Sequence, residues 1–235
     1  MVFVLLGGYY RCDILRAVNG AASLDRGNPA GRRRGGRTKW RRRHPAHVSD
    51  PADTLETFTG GRFRPFDPDL DDVRLADIAG GLAHTCRFGG HCRRFYSVAH
   101  HSLHVAEELS DRGPRLELLG LLHDAGEAYL GDLPRPVKTE FEAFERAEER
   151  VLGAVWTALD VDPPTADEWE AVMAADDRLL AYEAADLLAD AAWADDPPAL
   201  GYELRSEPTE VRERFLTRAE RLLATVGAPV PERDG

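Results

Sequence analysis

His123-Asp124, with Glu127 following at helical spacing, closes an apolar run that begins at Leu116. Imidazole and carboxylate both ligate divalent metals, and a glutamate one turn beyond the histidine falls on the same helix face. Two adjacent side chains cannot surround a cation, so further ligands must come from elsewhere in the chain. His100, His101 and His104 lie upstream and Asp176-Asp177 downstream. No CxxC or HExxH spacing gathers ligands locally, so packing of separate helices has to assemble the site. Periodicity chooses among the candidates. His101 shares a stripe with Val98 and Val105 and faces inward, whereas His100 and His104 point elsewhere, toward solvent or behind the ligands. Asp177 precedes Leu180 by three and Ala181 by four, on the apolar side of its helix, and Asp176 stays open beside it. A carboxylate aimed at a core needs a partner, and a metal is an efficient one. Taken singly, an inward histidine is more often a hydrogen-bonded core residue, and a lone aspartate a cap or an ion pair. The joint pattern favours a metal.

The elements that must position these groups read as helices. Apolar residues recur near helical spacing over Asp71 to Leu82, Val98 to Leu109 and Arg115 to Asp124, the last admitted by Gly113-Pro114. Thr139 to Leu159, Asp167 to Ala192 and Glu207 to Val226 complete the set, with Pro163-Pro164 as an interruption. Arg87 to His91 is a glycine-broken loop, and Gly131 to Pro136, with two prolines three residues apart, reads only as loop. No strand-like alternation of useful length appears. The expected fold is all-α, a bundle of about six or seven packed helices.

Charge divides the chain. The net charge is −11, yet residues 1–50 carry 11 Lys and Arg against 3 Asp and Glu, and residues 51–235 carry 19 against 38. An acidic body repels phosphates over a broad surface, which argues against nucleic acid as a partner. Residues 1–50, with their Gly- and Arg-rich stretch, have too little apolar surface to offset ordering entropy and are expected to form a disordered basic tail. The abrupt change at Asp50 also raises a translation start near Val48, which would leave the tail out of the native protein. Residues 51–235 form the folded domain. The cysteines, Cys12, Cys86 and Cys92, are odd in number and form no CxxC pair, which fits a reducing cytoplasm rather than a disulfide framework. No apolar run approaches the ~20 residues of a membrane span, and Val2 to Leu6 lacks the basic n-region of a secretory signal.

The ordered set His101, His123-Asp124, Asp177 resembles the H…HD…D signature of the HD-domain metal-dependent phosphohydrolases. The likeness extends to Ser97-Val98-Ala99-His100-His101-Ser102, similar to the helix of the first ligand. It extends also to His123-Asp124-Ala125-Gly126-Glu127 with Asp132-Leu133-Pro134-Arg135-Pro136-Val137-Lys138, similar to a block of the bacterial 5′-deoxynucleotidase branch. Asp177-Arg178-Leu179-Leu180-Ala181-Tyr182 resembles that branch's D-x-L-x-A-Y, and Arg87-Phe88 stands where it carries an arginine and an aromatic. The resemblance covers residues 70–190. It implies the helical HD-domain fold and one divalent cation, Mn, Co, Zn, Fe or Mg, held by His101, His123, Asp124 and Asp177. It further implies hydrolysis of (deoxy)nucleoside 5′-monophosphates, with Asp124, Glu127 and Arg87 as catalytic groups. Glu127 would handle the attacking water, Arg87 would clamp the phosphate, and Phe88 and Asp132 would meet the sugar. His91 stays open as a further phosphate contact, and a homodimer is expected. The alternatives are an HD hydrolase of nucleoside triphosphates or guanosine alarmones, and a nucleotide-sensing module without turnover. In the binding module Glu127 would have no task.

Overall fold

Helix boundaries follow the punctuation of the sequence. Ser97 caps α2 (Val98–Glu108; α1 is Leu75–His84), its hydroxyl accepting from the His100 amide. Gly113, at a φ of 104°, turns the chain and Pro114 opens α3 (Pro114–Leu122). Single turns follow at α4 (Glu127–Leu130) and α5 (Arg135–Lys138), then α6 (Glu142–Ala158). Thr165 and Glu168 close a reciprocal capping box on α7 (Ala166–Leu187), and left-handed Gly227 ends α8 (Pro208–Val226). The computed structural model describes residues 53–194 and 196–231, and the expected basic tail over 1–50 lies outside them.

Every residue from Leu116 to Leu122 is buried, all of them apolar or glycine except Glu117, which meets Arg218 and Arg221, and α3 forms the centre of the bundle. Helices α2, α7 and α8 pack around it, and α1 closes against α2 and α8. At Gly120 the α2 and α3 backbones approach closely. A Cβ there would stand 2.6 Å from Leu109 Cδ1 and 3.2 Å from Val105 Cγ1, so any larger residue has to push the Leu109 side chain aside. That approach carries His101 on α2 to the side of His123, just past the end of α3.

The all-α expectation holds. Six helices of nine residues or more and two single turns are present among the described residues. The helix expected to reach Ala192 ends at Leu187, and three further local expectations give way. The helix expected from Asp71 begins at Leu75, because Asp69 caps a separate 3-10 turn over Leu70–Asp72. Arg135–Lys138 is a helical turn rather than loop, since Pro136 sits in the first turn, where a missing N–H costs nothing. A short antiparallel hairpin pairs Leu55 with Phe63 and Glu56 with Arg62, too short to show alternation. No described helix is long and apolar enough to cross a membrane.

Candidate metal centre

His101 Nε2, His123 Nε2 and an Asp124 carboxylate oxygen all lie within 4.8 Å of one another. Three different segments deliver them: the middle of α2, the residue after α3, and the turn that follows. Both Nε2 atoms are buried and neither makes a well-formed hydrogen bond, although Asp176 Oδ1 lies 3.0 Å from that of His101 and Asp124 Oδ2 3.2 Å from that of His123. Each ring's other nitrogen is occupied. His123 Nδ1 donates to the Gly120 carbonyl at 2.8 Å, and His101 Nδ1 meets Glu183 Oε1 at 2.7 Å. A carbonyl only accepts, so His123 carries its proton on Nδ1 and turns the Nε2 lone pair toward the cluster. Two bare nitrogens beside a carboxylate are donors that fit a divalent cation, and the His101-His123-Asp124 group can hold one.

The aspartate of this pair that approaches the two histidines is Asp176, not Asp177. Asp176 Oδ1 lies 3.0 Å from His101 Nε2 and 4.0 Å from His123 Nε2, whereas Asp177 turns away to Arg135 at 3.6 Å. The reason lies in the register of α7. Its inward stripe runs through Val172, Ala175, Leu179, Glu183 and Leu187, all buried, and Asp176 sits between Val172 and Leu179 on that side. Leu180 and Ala181, the residues that favour Asp177, are only half-buried. Adjacent helical residues diverge by about 100°, so a stripe misread by one position selects the wrong neighbour.

Charge in the cluster is balanced among its members. Burial opposes ionisation of Asp124, but His123, His101 and Arg87 outweigh it and hold the carboxyl below its ordinary range. Asp176 is lowered in the same way, against burial, by His101, His123 and Arg87. Burial and Arg87 disfavour a proton on His101, yet Glu183 and Asp176 prevail and raise it to about 9. Arg87 itself is buried, 3.1 Å from Glu183, 3.6 Å from Asp124 and 4.0 Å from Asp176, with its Nε–H unpartnered. Its backbone amide donates to Tyr96 O at 2.9 Å. The following turn is held in the left-handed region at Phe88, φ 58°, and Gly89, φ 59°. That conformation is unfavourable for phenylalanine. The half-buried Phe88 ring lies 5.6 Å from the Arg87 guanidinium and packs on the small cluster of Tyr96, Leu187 and Leu204.

Glu127 opens α4 with a buried carboxylate. One oxygen is unpartnered and the other lies 3.6 Å from Lys138 Nζ, which Glu148 also holds at 2.7 Å. Burial first, then Asp124 and Asp132, pushes Glu127 well above the usual carboxylate range. Asp132 is raised by burial as well and accepts from the Phe88 backbone, tying its loop to the arginine turn. His91 is exposed at the end of that turn, and no contact joins it to the metal group.

His100 and His104 are not on the solvent side. They are 4 % and 6 % exposed, His100 Nδ1 lying 3.0 Å from Ser206 Oγ and His104 Nδ1 2.8 Å from the Tyr96 hydroxyl. The segment before α8 covers this face of α2, which the periodicity of α2 alone leaves open. Glu183 was not among the residues singled out from sequence. It is fully buried and meets His101, Tyr96 and Arg87. Its signal was its position, seven residues after Asp176 and four after Leu179 on the inward stripe.

No family model matches the chain. It is 38% identical over 97 residues to the uncharacterized protein YfdR of Escherichia coli K12, covering 41% of this chain and 53% of that protein. It is 40% identical over 105 residues to the uncharacterized protein RCAP_rcc00048 of Rhodobacter capsulatus, with the same shares, 41% and 53%. The chain thus spans about half the length of the curated relatives it matches.

Proposed function

We propose that this protein is a metal-dependent phosphohydrolase that removes phosphate from (deoxy)nucleoside 5′-monophosphates. The observation that carries the reading is the pair of unpartnered histidine Nε2 atoms facing Asp124 and Asp176 beside a buried arginine. The likeness of the surrounding motifs to HD-domain phosphohydrolases supports it. His101, His123, Asp124 and Asp176 would hold one divalent cation, of the Mn, Co, Zn, Fe or Mg kind. Such an ion, when bound, supplies positive charge to phosphate oxygens and acidity to water.

The chain's own groups would do the rest. Arg87 offers forked N–H donors to a phosphate, and Glu183 and the Tyr96 carbonyl fix its direction. Glu127, buried close to Asp124 with one oxygen unpartnered, is placed to take a proton from water. Lys138, 3.6 Å away, steadies the carboxylate once it is ionised. Asp132 and Phe88, joined through the Phe88 amide, would face the sugar. A cytoplasmic homodimer belongs to the same proposal.

The test is a panel of nucleotides offered to purified protein with each of Mn²⁺, Co²⁺, Zn²⁺, Fe²⁺ and Mg²⁺. Inorganic phosphate released from deoxynucleoside 5′-monophosphates supports the reading. Pyrophosphate or triphosphate release would make it an HD hydrolase of longer phosphates, and silence toward every ester would leave a nucleotide-binding module.

A further inference from the structure

Glu183 sits in a demanding environment. It is 0 % exposed, 82 residues from His101 and 96 from Arg87 in sequence, and no part of it is available to water. A carboxylate in that position is costly unless donors surround it. Three do. Oε1 lies 2.7 Å from His101 Nδ1 and 2.9 Å from the Tyr96 hydroxyl, and Oε2 lies 3.1 Å from an Arg87 terminal nitrogen. Tyr96 in turn reaches His104 Nδ1 at 2.8 Å. An apolar residue would fill this space at lower cost, so the charge calls for a reason.

We propose that Glu183 is a positioning residue that fixes His101 as the Nδ1–H tautomer and presents its Nε2 lone pair to the cation. The inference rests on the metal-site reading above. An ionised carboxylate can only accept, so the nitrogen it faces must donate, and a cation has to compete only for the other nitrogen, which faces Asp176 at 3.0 Å. The Gly120 carbonyl does the same for His123 at 2.8 Å. The two acceptors differ in kind. A backbone carbonyl cannot be mutated away and carries no charge, whereas Glu183 also makes the imidazole a stronger donor to a metal. The contact with Arg87 ties the arginine to the same carboxylate.

Glutamine cannot replace it. With its amide nitrogen at the Oε1 position it would offer a donor to His101 and Tyr96. At the Oε2 position it would oppose the Arg87 N–H. Tyr96→Phe is the control, since it removes one Glu183 bond from the same buried network and leaves the His101 contact intact. The measurement is Mn²⁺ affinity, read from free Mn²⁺ by EPR, for the full chain and both variants. Glu183→Gln is expected to weaken binding by about 10–100-fold, and Tyr96→Phe by less than about threefold. Unchanged affinity in Glu183→Gln overturns the inference and leaves the metal site standing, and so does an equal loss in Tyr96→Phe, which would mark general packing. A wild-type chain that takes no Mn²⁺ overturns the metal reading and this inference with it. Should Glu183→Gln fail to fold, the wild-type protein decides by itself. Long-range ¹H–¹⁵N spectra of the Zn²⁺-loaded chain should show the His101 proton on Nδ1, and a proton on Nε2 would contradict the assignment.

Discussion

Three histidines within five residues of α2 occupy two opposite environments. On one side His101 faces Glu183, Asp176 and Asp124, and the first two raise it to about 9 against burial and Arg87. On the other, His100 and His104 meet Ser206, Tyr96 and Tyr202. There burial and cationic neighbours, Arg214 for His100 and His100 for His104, lower them to about 4 and about 3. The helix and residue type are the same, so the difference lies in what other elements bring. The carboxylates come from α7 and the turn after α3, and the neutral partners from the segments before α2 and α8. A histidine becomes a candidate ligand where its outer nitrogen is held and its inner one is bare. It becomes a core residue where it is packed neutral among hydroxyls and rings.

The sharpest way to break this comparison is on the carboxylate side. Asp124→Ala should remove both metal content and turnover. Glu127→Gln should keep the metal and lower kcat by about 10²–10⁴-fold, the usual worth of a general base. Equal metal loss in the two variants would show Glu127 to be a ligand. Metal analysis of the purified variants beside a phosphate-release assay separates the cases.

The neutral side makes a smaller, opposite prediction. His104 has a folded pKa near 3 and an unfolded one near 6.5, so between those values the unfolded chain binds more protons. The His104 contribution should therefore be constant above pH 6.5 and be lost as the pH drops toward 3, by roughly a few kcal/mol. Urea midpoints across that range should decline for the wild type and decline less for His104→Asn. A parallel decline in the variant would remove His104 from the account. The smallest effect belongs to Asp177→Ala, which loses a half-exposed contact to Arg135 and should cost less than about 1 kcal/mol in the same urea experiment.

Much of this was legible in the sequence, and the gaps have physical causes. Helices follow from apolar spacing and from Ser97, Gly113-Pro114 and Pro208, so the architecture could be read. His101, His123 and Asp124 could be read too, because each lies on or beside an unambiguous stripe. The choice between Asp176 and Asp177 could not. From Val172 to Leu187 α7 carries apolar residues on several faces, and Leu179 and Leu180 point to different ones. Only the packing against α2 and α3 decides which is inside. Glu183 escaped because a charged residue is counted as outward by any apolar pattern, and its three partners come from other parts of the chain. The burial of His100 and His104 depends on Ser206 and Tyr202, about 100 residues away in sequence. The basic tail lies outside the described residues.

The central claim is that His101, His123, Asp124 and Asp176 form one cation site. Calorimetric titration of the metal-free protein with Mn²⁺ tests it most directly when Asp176→Ala and Asp177→Ala are run beside the wild type. The account predicts one ion per chain for the wild type and for Asp177→Ala, and no measurable binding for Asp176→Ala. Binding retained in Asp176→Ala and lost in Asp177→Ala, or absent from the wild type, would contradict it.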